Sequence, residues 1–223
     1  MRAAVVAKVK DEGLVRARRR QIIDAAVEVF LEKSFHAATV ADVALRVGIS
    51  QGSMYTYVRS KDDILYMICE EAVDAHCEAV QQAVAPHVDP ITRLRAAVHA
   101  FVVSIYTTRK STLVVYREAH DLSPASIKAL LAKAGEFIAI FEQLLLDAGR
   151  YGDPESRLVI SNIVTYVPTV IANRAWNLRN RVARERLIAE TTAFILRGLG
   201  FNDPEPGVAL LPRKAPRAAR AGQ

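Results

Sequence analysis

The sequence predicts an all-α protein, and three observations carry that expectation. Apolar residues recur at helical spacing along most of the 223 positions. No stretch keeps up the strict alternation of a half-buried strand, and helix-capping signals punctuate the chain at the spacing of ordinary helices. A hydrophobic content of 51% is enough to build a core and excludes disorder throughout.

Each element can be justified in order. Residues 1 to 15 are small, charged and aperiodic, as expected of a mobile arm leading into "RARRR", residues 16 to 20. "QIIDAAVEVFLEK" then sets Ile23, Ala26, Val27, Phe30 and Leu31 on one helical stripe. In "TVADVALRV", Thr39 is the candidate N-cap and Asp42 completes an acidic variant of the capping box, with Val40, Val43, Ala44 and Val47 facing inward. Gly48 supplies a turn, Ser50 caps a short helix with Met54 and Val58 toward the core, and Ser60 with Asp63 opens a long helix running to Pro86.

Beyond that helix the punctuation repeats. Asp89-Pro90, Ser123-Pro124 and Asp153-Pro154 each place a capping oxygen before a proline in the first helical position. The helices between them are apolar around much of their circumference, which suits a dimer interface, a cavity lining, or both. Pro168 interrupts one of them and removes a backbone hydrogen bond, so a kink or break is expected there. "RERLIAETTAFILRGLG" ends at Gly198 or Gly200, and residues 202 to 223 form a Pro/Ala/Arg-rich basic tail expected to be disordered.

The net charge of +6 is unevenly placed. Residues 1 to 61 hold 11 Lys/Arg against 6 Asp/Glu, residues 62 to 201 hold 15 against 16, and residues 202 to 223 hold 4 against 2. A basic segment beside a neutral body suits a phosphate-bearing partner, although a solvated basic face explains the same excess. Two cysteines and no signal-peptide pattern point to a reducing, cytoplasmic setting. "LVISNIVTYVPTVIA" carries Asn162 and Pro168 and falls short of a membrane span.

"VGISQGSMYTYVRSK" crowds hydrogen-bonding side chains into barely two turns after a tight glycine turn. A short helix, a turn and a second short helix, over about residues 39 to 58, form a helix-turn-helix, whose second helix fits the major groove of double-stranded DNA. Gln51 can bond an adenine edge and the Thr56 methyl can meet a thymine methyl. Ser53, Tyr55, Tyr57, Lys61 and the Thr39 hydroxyl suit phosphate oxygens. Ordinary helix surface accounts for Gln51 equally well, and either tyrosine could be a packed aromatic.

These residues carry a resemblance. "TVADVALRVGISQGSMYTYVRSKDDIL" is similar to the N-terminal domain of the TetR (tetracycline-repressor-like) family of bacterial transcriptional regulators, from about Arg16 to His76. The resemblance implies that "GISQGSMYTYV" is the recognition helix and that Lys61 touches a phosphate at the start of the fourth helix. It also implies a homodimer bound to a palindromic operator, a C-terminal ligand pocket, and repression relieved by a small molecule. The expected organisation is thus an arm (1–15), a three-helix DNA-binding domain (16–76), a helical ligand-binding and dimerisation domain (77–201) and a tail (202–223). Gln51 stands where many members have Lys, and Val58 where many have Phe. The first departure alters operator preference; the second is a core change.

Within the body, Tyr106, Tyr116, Glu118, His120, Asn162, Tyr166, Asn173 and Trp176 are polar or amphipathic groups on oily helices, as expected of orienting contacts in an apolar pocket. Capping, bridging and dimer-seam roles compete for each. "LVVYREAHDLSPASIKALL" and "NRAWNLRNRVARER" are similar to what members sensing fatty-acyl or acyl-CoA compounds would carry, with Arg174, Arg179 and Arg181 available for phosphates. An exposed solvating face explains the arginines as well.

Catalytic and metal sites are not expected. Cys69 and Cys77 lie two helical turns apart, unsuited to a disulfide or one tetrahedral metal. No nucleophile–base pair or glycine-rich phosphate loop stands out, so a cofactor-free, non-enzymatic protein is expected. A helical enzyme or small-molecule carrier is the alternative, and an interaction adaptor would leave the basic N-terminal region unexplained.

Overall fold

The computed structural model describes residues 12–201, all helices and connections, with no strand among them. Eleven α-helices follow in order: α1 (Glu12–Ala37), α2 (Val40–Val47), α3 (Gln51–Met54), α4 (Lys61–Val84), α5 (Pro90–Thr107), α6 (Arg109–Glu118), α7 (Pro124–Asp147), α8 (Pro154–Tyr166), α9 (Val170–Asn173), α10 (Ala175–Leu178) and α11 (Arg184–Gly198). Single 3-10 turns follow α6 (Ala119–Asp121) and α8 (Val167–Thr169).

Two expected boundaries shift. Residues 12 to 15, expected in the arm, already belong to α1; the rest of the arm and the basic tail 202–223 lie outside the described residues. The recognition helix is also shorter than expected. Only Gln51–Met54 is α-helical, and Tyr55 to Tyr57 continue as turns held by N–H groups of Tyr55, Thr56 and Tyr57 bonding back to Gln51, Ser53 and Met54 carbonyls.

The caps read from the sequence are in place. Asp89, Ser123 and Asp153 each accept the N–H three residues on, with proline at the first helical position of α5, α7 and α8. Pro168 ends α8, and the chain bends through the 3-10 turn into α9.

Two hydrophobic cores form. The first packs Ile22, Val29 and Phe30 of α1 against Val43, Met54, Val58 and the start of α4, and it also takes in Val114 of α6 and Leu122. The second packs α5, α7, α8 and α11 around Phe101, Phe137 and Phe141. Helix α4 belongs to both, giving Ile64, Leu65 and Ile68 to one and Val80 to the other.

Candidate nucleic-acid interface and effector cavity

The N-terminal site begins with two capped turns. Thr39 accepts the Asp42 N–H (3.1 Å), while Asp42 Oδ2 accepts both the Thr39 N–H (2.9 Å) and its hydroxyl (2.8 Å), closing a reciprocal capping box. Hydrogen bonds from Lys33 first, and then from Thr39, lower the Asp42 carboxyl to about 2. Gly48, at φ 79°, ends α2 by donating to the Ala44 and Leu45 carbonyls, a left-handed conformation that glycine adopts without the side-chain clash. Ser50 caps α3 by accepting the Ser53 N–H (3.1 Å).

This geometry sorts the candidate DNA contacts. Met54 and Val58 are fully buried, so Gln51, Ser53, Tyr55 and Thr56 face solvent together. Tyr55 is half-exposed, whereas Tyr57 packs part of its ring on the first core. Ser53 Oγ lies 2.9 Å from Ser50 Oγ, and the Thr56 hydroxyl donates to the Ser53 carbonyl (2.7 Å), which leaves the Thr56 methyl as its free group.

Lys61 is placed otherwise than expected. Its ammonium donates to the carbonyl oxygens of Phe35 (2.5 Å), His36 (3.0 Å) and Ala38 (2.9 Å), and it sits 4.5 Å from the centre of the Phe35 ring. All three ammonium protons are therefore spent on the C-terminal end of α1, where helix carbonyls lack intrahelical donors. The ammonium for which the resemblance implies a phosphate contact is engaged here in capping the end of α1.

The body holds a partly open cavity of about 400 Å³ between α4, α5, α6, α7 and the bend after α8. Of the expected ligand contacts, Tyr116 and His120 line it. Tyr166 and Asn173 line instead an adjoining open groove of about 770 Å³, which meets the cavity at Tyr116 and Thr169 and includes Arg174. Burial raises the Tyr116 phenol above its usual pKa, with a hydrogen bond to Thr169 opposing the shift.

The other four expected contacts lie elsewhere, each for a visible reason. Glu118 is buried, but its carboxylate faces the end of α1 and accepts the Phe35 N–H (3.4 Å). Tyr106 carries the guanidinium groups of Arg109 and Arg184 over its ring (4.8 and 5.3 Å). Asn162 is exposed and donates to the Leu158 carbonyl one turn back. Trp176, on the short α10, is 75% exposed and lines neither the cavity nor the groove.

His76, which was not among the expected ligand contacts, lies on the cavity wall. Its signal was an apolar stripe, since it falls on the buried face of α4 with Cys69, Ala72 and Val80. Burial pushes its imidazole down to about 4, so the ring is neutral at physiological pH. The same cause pushes the Cys69 thiol up to about 12, away from thiolate chemistry. Among the described residues no group of three or more His, Cys, Asp or Glu could hold a metal, and no helix is long and apolar enough to cross a membrane.

The segment lining the cavity also grips the N-terminal unit. Lys110 of α6 pairs with Glu28 of α1, Glu118 with the Phe35 N–H, and Asp121 with His36 (3.1 Å). At the start of α7, Asp62 accepts the Ser123 N–H (2.6 Å) and the hydroxyls of Ser123 (3.2 Å) and Ser126 (2.9 Å), tying the beginning of α4 to the beginning of α7.

Comparison with known proteins agrees with this architecture at both ends. Residues 22–66 match the family model "Bacterial regulatory proteins, tetR family", and residues 87–171 match "Tetracyclin repressor-like, C-terminal domain". The two together cover more than half of the chain. The chain belongs to the TetR family. It is a DNA-binding transcriptional regulator and not an enzyme.

Among the TetR-type relatives, the transcriptional regulator HbdR of Aromatoleum sp. (strain CIB) is 31% identical over 133 residues, 60% of this chain and 57% of HbdR. The match thus spans little more than half of HbdR's own length. The transcriptional activator FasR of Mycolicibacterium smegmatis is 27% identical over 186 residues, 82% of this chain and 83% of FasR. The fatty acid metabolism regulator protein of Bacillus subtilis is 36% identical over 67 residues, 30% of this chain and 34% of that protein. In fold, a tetR-family regulatory protein from Rhodococcus RHA1 superposes with a TM-score of 0.73 at 23% identity, over 83% of this chain and 98% of that one. AibR, solved with isovaleryl coenzyme A and operator DNA, gives 0.66 at 17% identity, over 79% and 97% of the two chains.

Proposed function

We propose that this TetR-family chain is a cytoplasmic repressor, bound as a homodimer to a palindromic operator and released by an apolar effector of the fatty-acyl or acyl-CoA class. One observation carries the reading: the segment from α6 to the start of α7 lines the cavity and at the same time bonds to α1 and α4 through Lys110, Glu118, Asp121, Ser123 and Ser126. A ligand that repacks this segment changes the setting of the DNA-binding unit, and the effector acts by shifting the population between two settings.

DNA contact falls to Gln51, Ser53, Tyr55 and Thr56, with Thr39 at the N-terminus of α2. Phosphate contacts position the unit, while Gln51 and the Thr56 methyl read base edges. The second copy docks on α8 and α11, where Leu158, Val159, Ile163, Tyr166 and Phe194 are exposed large apolar groups. Support for the effector class comes from the apolar cavity and from similarity to a fatty acid metabolism regulator and to AibR, which binds isovaleryl coenzyme A.

The decisive test is selection of DNA by the purified chain, with affinity then measured against salt and against a panel of acyl-CoA thioesters and fatty acids. The expected outcome is a palindrome, a steep salt dependence of roughly one power of affinity per phosphate neutralised, and release by one ligand class. Enriched DNA indifferent to every panel member would refute the effector class, and failure to enrich any DNA would refute the whole reading.

A further inference from the structure

Resting on the reading of the cavity as the effector site, we infer that it takes the uncharged, mostly apolar part of the effector, whose neutral oxygen pairs with the His76 imidazole, any charged group staying outside. An ionised carboxylate is refused.

His76 is 8% exposed and wedged between aromatic rings, edge-on to Phe101 (5.2 Å between centres) and tilted against Phe137 (6.0 Å). Its Nδ1 lies 2.8 Å from Ser104 Oγ on α5, which leaves Nε2 as the nitrogen available to a ligand. The Ser104 hydroxyl can turn to the Ala75 carbonyl (3.4 Å) or to Nδ1. In the first case Nε2 is an acceptor, and in the second it carries the proton. A ligand hydroxyl satisfies either form and a carbonyl oxygen satisfies the second.

Apart from the two histidines, the polar groups on the wall are the uncharged hydroxyls of Thr112, Tyr116, Thr165 and Thr169. Thr165 donates its hydroxyl to the Ser161 carbonyl (2.8 Å), and Thr169 donates to the Tyr166 carbonyl (2.7 Å). No Lys, Arg, Asp or Glu lines the cavity. Lys133 of α7 pairs with Asp74 (2.7 Å) and Glu70 (3.5 Å). At the rim, His120 already has the Asp121 carboxylate 3.6 Å away. A carboxylate drawn against this wall would give up much of its water and find no Lys or Arg on the wall to pair with. At about 400 Å³ the cavity is at the small end for a ligand site, which suits a medium-length chain or a compact ring system.

The test is titration of the full chain with 1-decanol, decanoate and decanoyl-CoA by calorimetry at pH 7.5, where decanoate is ionised. Wild-type protein is expected to bind decanol at least tenfold more tightly than decanoate. In His76→Leu the affinity for decanol falls about tenfold, the worth of one neutral hydrogen bond, and His76→Gln recovers part of it. Thermal unfolding of each variant checks that it is folded, and the wild-type preference stands without either variant. Decanoate binding as tightly as decanol, or a folded His76→Leu protein with unchanged decanol affinity, would overturn the inference and leave the effector site intact. Absence of binding by all three probes would overturn both.

Discussion

The Lys61 ammonium, at the first position of α4, donates to the carbonyl oxygens of Phe35, His36 and Ala38 at the end of α1. A residue of the type and position that suits a phosphate is thereby a fastener between the first and fourth helices. Lys61→Ala leaves those carbonyls short of donors, and urea unfolding is expected to show a loss of about 1–3 kcal/mol. The slope of log affinity against log salt is expected to stay within one unit of wild type; a fall of a full unit would mean that Lys61 neutralises a phosphate after all.

Ser34 breaks α1 at φ 65° and ψ 163°, a region almost restricted to glycine. Ser34→Gly is expected to stabilise the protein by about 1 kcal/mol through relief of that strain, less the entropy glycine adds to the unfolded chain. Calorimetry would read this as a higher Tm, and a lower one would show that the Ser34 side chain contributes more than its backbone costs.

His76 should imprint itself on the pH dependence of stability. Its folded pKa, about 4, lies below the 6.5 of a free imidazole. The unfolded chain therefore binds the proton first. Stability is at its full value above pH 6.5, declines as pH falls toward 4, and levels off below that, with a total loss of roughly 3 kcal/mol from this group. In His76→Leu that portion of the decline is expected to vanish, and chemical denaturation at intervals between pH 7.5 and 4 would show whether it does.

Gln51 and Tyr55 should fail in different ways. Gln51→Ala is expected to relax preference at one base position by about 1–3 kcal/mol with an unchanged salt slope. Tyr55→Ala is expected to weaken all sequences alike. Binding to a set of singly altered operators separates the two; uniform weakening by Gln51→Ala would remove it from base reading.

Asp62 joins α4 to α7 through Ser123 and Ser126. Asp62→Ala is expected to cost about 1–3 kcal/mol of stability and to shrink the factor by which an effector alters DNA affinity. An undiminished factor in the folded variant would show that coupling runs through α6 alone.

Local chemistry made most of the fold legible. Thr39, Ser50, Ser60, Asp89, Ser123 and Asp153 announce helices through caps that need only neighbours in sequence, and Pro168 announces a bend by lacking an N–H. Tertiary partners were not legible. Glu118 and Lys61 look like groups free to meet a ligand or a phosphate until α1 folds back to supply the Phe35 N–H and the Phe35, His36 and Ala38 carbonyls. Trp176 and Asn162 sit on helices that look buried by composition, yet both face outward. His76 shows the opposite error, because a lone histidine on an apolar stripe gives no sign of whether a cavity lies beside it.

Helix α4 contributes to both cores, and the first core also takes in Val114 and Leu122 from beyond it. The reading head is consequently not a detachable module. A graft of residues 16–76 onto a foreign body would leave Val114 and Leu122 behind and bare the apolar surface they cover, so trading heads between such regulators means transplanting the underside of the host as well.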